Sequence, residues 1–200
     1  MDVEVLLFDG FDELDAVGPF EVFANAARSR DDVSVALVTR RPAERVTASH
    51  GLVVEPDGVL GDPDLLVVPG GGWADGGDVG VRHEREAGDL PEAIAARHAG
   101  GSTVASVCTG AMLLAAAGLL DGRPATTHPV AREDLATVTK LVDARVVDDG
   151  DVLTAGGVTS GLDLALWLVE RELGADLADR VARELEHERR GEVHRTTAVD

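Results

Sequence analysis

The chain has 200 residues, a formal net charge of -19 and 44% hydrophobic residues. This length is typical of a single domain with its own buried core, and the charge repels nucleic acid phosphates and anionic membranes. No apolar run approaches the roughly 18 residues of a membrane span, and the first apolar run is too short for a secretory signal peptide. We therefore predict a cytoplasmic globular protein that binds neither nucleic acid nor membrane.

The basic residues are almost all arginine, because Lys140 is the single lysine. Acidic side chains keep a surface hydrated at high salt, where ions screen their mutual repulsion. The composition is therefore typical of the acidic proteome of a salt-rich cytoplasm. An ordinary acidic protein from a GC-rich genome is the alternative.

Short apolar runs alternate with longer helical patterns along the chain. The first half predicts strands at 3–8, 33–39 and 65–68, a helix at 19–28, a small strand pair within 45–54 and a helix within 79–98. The second half predicts a strand at 103–107, a helix at 110–117, a hairpin of 145–147 with 152–154 around Asp149-Gly150, and helices at 162–173 and 176–189. This alternation favours an α/β three-layer sandwich with a mostly parallel central sheet. We assign residues 1–188 to one domain and 189–200 to a polar, flexible tail.

Cys108 is the single cysteine and directly follows the apolar strand at 103–107. Ser106 and Gly110 lie two positions on either side, and small residues there permit the sharp strand-to-helix turn that presents a nucleophile. Free N–H groups and the dipole at a helix start favour thiolate over thiol, and the N–H of Thr109 would face charge developing near the sulfur. We predict an ionised nucleophile at Cys108; the alternative is a buried cysteine at an ordinary turn.

Three consecutive glycines at 70–72 follow another predicted strand. Glycine takes positive φ without penalty and lets backbone N–H groups approach a ligand closely. Because the carboxyl ends of parallel strands meet at one edge of the sheet, we expect Gly71 and Gly72 to form an anion hole facing Cys108. A flexible turn is the alternative, and Trp73 either walls the pocket or packs on its neighbours.

Asp15 lies just before the first predicted helix, where an acidic residue commonly caps the N-terminus. The alternative brings its carboxyl group to Cys108 across the carboxyl edge of the sheet. A carboxylate and a thiolate at close range would share one proton, which Asp15 would then pass on. Neighbouring Asp12 and Glu13 are expected to be solvated.

The histidines are scattered, and no two of them are four residues apart as in helical metal-binding pairs. We therefore predict no metal site and no cofactor. His128 is the best candidate for a Cys–His dyad, with a structural histidine at the pocket rim as the alternative.

Four segments carry a family resemblance, and they span nearly the whole chain in order. They are LLFDGFDELDAVGPFEVF at 6–23, LLVVPGGG at 65–72, VASVCTGAMLLAAAGLLDGRPATTH at 104–128 and LTAGGVTSGLDLAL at 153–166. Together they resemble the ThiJ/PfpI superfamily, with its flavodoxin-like, class I glutamine amidotransferase-like fold, and within it the isocyanide hydratase branch. The resemblance implies that Cys108 is the nucleophile, that Asp15 hydrogen-bonds it, that Thr109 follows the nucleophile and that Gly71 belongs to the anion hole.

The same resemblance implies a homodimeric, cysteine-dependent hydro-lyase that converts a small isocyanide to an N-substituted formamide. Thr109 stands where the peptidase-like branch has a histidine, which counts against proteolysis. Residues 156–189 lack the histidine and glutamate pair of the glutamine amidotransferases. Two alternatives stay open: a glyoxalase or deglycase acting on reactive carbonyls, and a non-enzymatic redox sensor or stress-response protein that oxidises Cys108 reversibly.

Overall fold

The computed structural model describes residues 1–74 and 77–196. Its strands are β1 Asp2–Leu7, β2 Ser34–Thr39, β3 Val46–Thr47, β4 Val53–Val54, β5 Gly58–Val59, β6 Leu65–Val68, β7 Thr103–Val107, β8 Pro124–Ala125, β9 Lys140–Leu141, β10 Val146–Asp148, β11 Val152–Ala155 and β12 Val193–Arg195. Its α-helices are α1 Glu13–Ala27, α2 Val81–Ala87, α3 Asp89–Ala99, α4 Ala111–Ala116, α5 Arg132–Leu135, α6 Ser160–Leu173 and α7 Ala175–Glu184. Short 3₁₀ helices lie at Cys108–Gly110 and Pro129–Ala131.

A central sheet of eight strands has the order β12-β10-β11-β7-β6-β1-β2-β5. Its neighbours pair in parallel, except for the antiparallel hairpin of β10 and β11 that Asp149-Gly150 predicted. Helix α1 packs with α6 and α7, while α2, α3 and α4 pack with one another. The predicted three-layer α/β class with a mostly parallel sheet is confirmed.

Strands β6 and β7 lie at the centre of the sheet and are covered on both faces. Every residue of β6 is buried, as expected for a parallel strand that reads as a continuous apolar run. The parallel neighbours β1, β6, β7 and β11 end at the same edge. The loops that follow these strands therefore converge on one region.

The C-terminal segment differs from the flexible tail predicted for 189–200. Val193 pairs with Val146, so β12 extends the sheet in parallel beyond β10. Pairing with β12 satisfies backbone N–H and C=O groups of β10 that would otherwise be unpaired at the sheet edge. The guanidinium of Arg195 also stacks on Trp167, 5.4 Å from its ring centroid. The predicted boundary at 188 therefore cuts off part of the sheet, and the predicted tail residues 197–200 lie outside the described residues.

The predicted helix at 176–189 corresponds to α7, which already ends at Glu184. Glu186 then takes a positive φ of 48° and turns the chain toward β12. Within the described residues, none of the helices has both the length and the apolar character needed to cross a membrane.

Candidate active site

Cys108 occupies the turn between β7 and α4 in a backbone conformation that L-residues rarely adopt. Its φ is 57°, which costs a non-glycine residue about 1–2 kcal/mol. Gly110 permits this turn, because a Cβ there would lie 2.3 Å from the carbonyl oxygen of Val68. The side chain of Cys108 is only 6% exposed. Strain held at one buried, chemically reactive residue is typical of a functional site.

Asp15 reaches this turn from α1 and is fully buried. One carboxyl oxygen, Oδ2, accepts a hydrogen bond from the N–H of Gly70 at 2.9 Å, whereas Oδ1 has no hydrogen-bond partner. Burial, together with the negative charge of Asp12, raises the pKa of Asp15 to about 8, although the side-chain interaction with Cys108 acts in the opposite direction. The raised pKa favours the protonated form of this carboxyl group, whose side chain interacts with Cys108.

Cys108 differs from the ionised thiolate that the sequence predicted. Burial, with the charge of Asp15 adding to it, raises the pKa of the thiol to about 12. Backbone hydrogen bonds from Val158 and Thr109 lower the pKa but do not outweigh burial. The prediction of a lowered thiol pKa was wrong, because the helix-start effect is smaller than the cost of a charge in an apolar site. Between about pH 8 and pH 12 the pair of Asp15 and Cys108 holds one proton.

The glycine loop after β6 forms the opposite wall of the site. A Cβ on Gly70 would lie 2.6 Å from the backbone N of Thr109 and 2.9 Å from Oδ2 of Asp15, so glycine is required where the two groups meet. The N–H of Gly71, at a φ of 121°, donates to Oγ1 of Thr109 at 3.0 Å. Gly71 thus orients Thr109 instead of offering its N–H to a substrate as predicted, while Gly72, at a φ of 62°, packs against Gly80.

The turn at 156–159 between β11 and α6 also belongs to the site, and the sequence analysis missed its role. Val158 supplies a backbone hydrogen bond to the sulfur and takes a φ of 35°, unusual for a β-branched residue. The N–H of Cys108 donates to the carbonyl of Gly156 at 2.8 Å. The sequence signal that could have revealed this role is the glycine pair at 156–157. It directly follows β11, whose parallel neighbour β7 leads into Cys108.

His128 and Trp73 occupy positions other than those of catalytic partners. Nδ1 of His128 accepts a hydrogen bond from the N–H of Val130 at 3.2 Å, and its ring packs against Gly157. These contacts fit the interpretation of His128 as a structural histidine at the pocket rim. Trp73 is buried and donates from Nε1 to Asp134 at 3.1 Å. The interpretation of Trp73 as packing on its neighbours is therefore favoured.

One group of potential metal ligands lies near the start of α1. Asp12, Glu13 and His50 bring one ligand atom each within 4.8 Å of one another. Glu13 already accepts hydrogen bonds from the N–H of His50 at 2.8 Å and from its ring Nδ1 at 2.7 Å. Hydrogen bonding within the group accounts for its geometry without an ion.

Fold and site together define a class of α/β protein in which a cysteine, set on a strained strand-to-helix turn, faces a buried carboxyl group. The model of the DJ-1/PfpI family matches residues 1–171, and the chain belongs to this family. It is 38% identical over 191 residues to isonitrile hydratase of Pseudomonas putida, covering 94% of this chain and 78% of that protein. It is also 28% identical over 185 residues to the Parkinson disease protein 7 homolog of Danio rerio, covering 88% and 92% of the two chains.

Solved structures of the family have the same architecture. A ThiJ/PfpI family protein from Pseudomonas syringae superimposes with a TM-score of 0.78 and 29% identity, covering 94% of this chain and 75% of that one. DJ-1beta from Drosophila melanogaster gives a TM-score of 0.81 over 94% of this chain and 98% of that chain, at 24% identity. The predicted superfamily is confirmed.

Proposed function

We propose that this protein hydrates small isocyanides to N-substituted formamides, with Cys108 as nucleophile and Asp15 as proton carrier. The observation that carries the proposal is the buried carboxyl group of Asp15, whose raised pKa favours the protonated form, whose side chain interacts with Cys108 and whose Oδ1 has no hydrogen-bond partner. A buried polar atom without a partner is costly, and a carboxylic acid beside a nucleophile is what proton delivery needs. The identity to isonitrile hydratase over most of both chains supports the same substrate class.

In the first step the pair is in its reactive form, with its single proton on Asp15, and the ionised sulfur of Cys108 attacks the terminal carbon of the isocyanide. A carbon–sulfur bond forms, and the carbon takes a proton from Asp15. The product is a covalent thioimidate, R–N=CH–S–Cys108, with Asp15 left as a carboxylate. The N–H groups of Thr109 and Val158, which hydrogen-bond the sulfur, hold the attacking atom in place.

In the second step water adds to the thioimidate carbon. The Asp15 carboxylate takes one water proton and passes it to the nitrogen, which gives the tetrahedral intermediate R–NH–CH(OH)–S–Cys108. Cleavage of the carbon–sulfur bond releases the formamide and the ionised sulfur, while Asp15 takes the hydroxyl proton, so that the pair again holds one proton. Atoms balance as isocyanide plus water giving formamide, without a metal or a redox cofactor.

The protonation state of the pair sets the pH dependence. Below about pH 8 both groups are protonated, and the reactive form with a single proton becomes populated as the pH rises through that value. We expect kcat/KM to rise with pH and to level off above about 8.

The direct test supplies purified protein with a small alkyl isocyanide and follows formamide by NMR, with methylglyoxal assayed in parallel. Formamide formation that disappears in the Cys108→Ser variant is the expected result. Turnover of methylglyoxal alone would instead support the glyoxalase alternative. Formamide production at the wild-type rate by Cys108→Ser would overturn the covalent route.

The redox-sensor alternative requires a thiolate that oxidises readily. The low exposure and raised pKa of Cys108 disfavour it. Mass spectrometry after mild peroxide treatment tests it, and we expect the thiol to resist oxidation at neutral pH.

We further propose that the protein acts as a homodimer in the cytoplasm. Three exposed apolar side chains support a covered surface beside the site: Leu14 at 37%, Leu52 at 45% and Val53 at 52% exposure. Glu13 connects them, since the N–H of Leu52 donates to its carboxylate at 3.4 Å. Sedimentation of the wild type against Leu52→Ser tests this surface, and we expect the variant to dissociate more readily.

A further inference from the structure

A cluster of charged side chains around the buried Asp163 lies next to the turn at 156–159. The carboxyl group of Asp163, on α6, is 4% exposed. Its Oδ2 pairs with Nε of Arg145, and its Oδ1 accepts hydrogen bonds from Nε2 of His187 at 2.9 Å and from the N–H of Arg190 at 3.1 Å. The C-terminal segment is thus fastened to the helix that follows the turn.

Arg145 makes hydrogen bonds to this turn at two points. Nη2 of Arg145 donates to Oγ1 of Thr159 at 2.9 Å, and its carbonyl accepts the N–H of Gly156 at 3.0 Å. The carbonyl of Gly156 in turn accepts the N–H of Cys108 at 2.8 Å. Both ends of the turn are therefore fixed by one arginine, with the strained Val158 between them.

We infer that Arg145, oriented by Asp163, is a positioning residue that holds the Val158 N–H against the sulfur of Cys108. The guanidinium supplies several donors in a rigid planar arrangement, and the pairing with Asp163 fixes its direction. A turn that contains a β-branched residue at a φ of 35° relaxes unless its surroundings hold it. Releasing Thr159 would let the Val158 N–H move away from the sulfur and leave an emerging thiolate less stabilised.

This role depends on the reactivity of Cys108 but not on the choice of isocyanide as substrate. The experiment therefore uses iodoacetamide, with the rate of Cys108 alkylation measured by mass spectrometry from pH 6 to pH 10. The charged groups that act on the sulfur from α1, Asp15 and Asp12, are unchanged in every variant. We expect Thr159→Val to alkylate about fivefold more slowly at pH 8 and Arg145→Gln about tenfold more slowly, since a hydrogen bond that stabilises a charged group is lost.

Two controls separate positioning from a general loss of stability. Thr159→Ser keeps the hydroxyl and should restore the wild-type rate, and Thr159 is exposed, so neither substitution empties the core. Arg123→Gln removes a partly buried arginine that pairs with Asp149 and Asp151 at the other end of the same hairpin, and it should alkylate at the wild-type rate.

Equal alkylation profiles for wild type, Thr159→Val and Thr159→Ser would overturn the positioning role while leaving the nucleophile intact. A rate loss in Arg123→Gln equal to that in Arg145→Gln would also overturn it. A wild-type protein that resists alkylation up to pH 10 would overturn both this role and the proposed nucleophile. Alkylation without isocyanide turnover would overturn the proposed hydratase alone.

Discussion

Two buried aspartates of this domain, Asp163 and Asp15, differ in how many hydrogen-bond donors surround their carboxyl groups. Asp163 is surrounded by donors: Arg145, His187 and the N–H of Arg190 occupy both of its oxygens. Asp15 has a single donor, the N–H of Gly70, and one oxygen without a partner. Buried polar groups normally have hydrogen-bond partners, so the unpartnered oxygen of Asp15 lowers the stability of the fold at this site.

The difference shows how one kind of side chain serves structure in one region and chemistry in another. A carboxylate whose two oxygens accept hydrogen bonds from several segments fastens those segments together. A carboxyl group buried without a cation keeps its proton, as the raised pKa of Asp15 indicates, and a neutral acid beside a nucleophile is suited to proton transfer.

The largest expected effect is on turnover and falls on the sulfur. Cys108→Ser should lower isocyanide turnover on the order of 10³-fold or more, because a serine hydroxyl is a much weaker nucleophile. Formamide production and thermal unfolding are measured together, and the melting temperature should change little. Asp163→Asn, which acts on the sulfur only through Arg145, should lose about tenfold at most, far less than Cys108→Ser.

Asp15→Asn should lower turnover by about 10²–10⁴-fold, because an amide cannot deliver the proton. The matched control is Asp12→Asn, which removes the neighbouring charge and keeps a residue able to cap α1. Steady-state kinetics of the two variants check the prediction. An equal loss in both would mean that charge near the site matters and that proton transfer by Asp15 does not.

Asp163→Ala should destabilise the fold by about 3–5 kcal/mol, because it leaves the partly buried Arg145 without its partner. Urea unfolding at neutral pH measures the free energy of unfolding. A change below about 1 kcal/mol, the range of exposed pairs, would remove the contrast between the two aspartates.

Asp15→Asn should have the opposite effect on stability, with a defined pH dependence. Burial raises the pKa of Asp15 from 3.8 to about 8, so between these values the folded state keeps a proton that the unfolded state has lost. The wild type therefore loses stability as the pH rises from 4 to 8, whereas the variant has no such group. Relative to the wild type, the free energy of unfolding of the variant should therefore increase by about 2–4 kcal/mol over that range, as measured by urea unfolding at each pH. A difference in unfolding free energy that does not change with pH would contradict the raised pKa.

Sequence reasoning was strongest where local chemistry decides the structure. The small residues around Cys108, the glycine run at 70–72 and the Asp149-Gly150 turn each predicted a local geometry that the structure contains. The residues alone left open whether Asp15 caps a helix or meets Cys108; the family resemblance implied the second, and the structure brings the two side chains together.

It was weakest where the outcome depends on packing between distant segments. The pKa of Cys108 depends on the burial of its sulfur and on the nearby charge of Asp15, and no local sequence pattern records either effect. The N–H of Gly71 is taken by Thr109, 38 residues away. Likewise, β12 is polar and short, and it forms a strand because the edge of β10 is open to it.

The most direct measurement is the protonation state of Asp15 itself. Infrared difference spectroscopy of wild type against Asp15→Asn isolates the carboxyl band of this residue as the pH is varied. We expect a protonated carboxylic acid band at pH 7 that disappears as the pH passes about 8. A band already absent at pH 6 would show an ionised Asp15 and contradict its role as the proton carrier for Cys108.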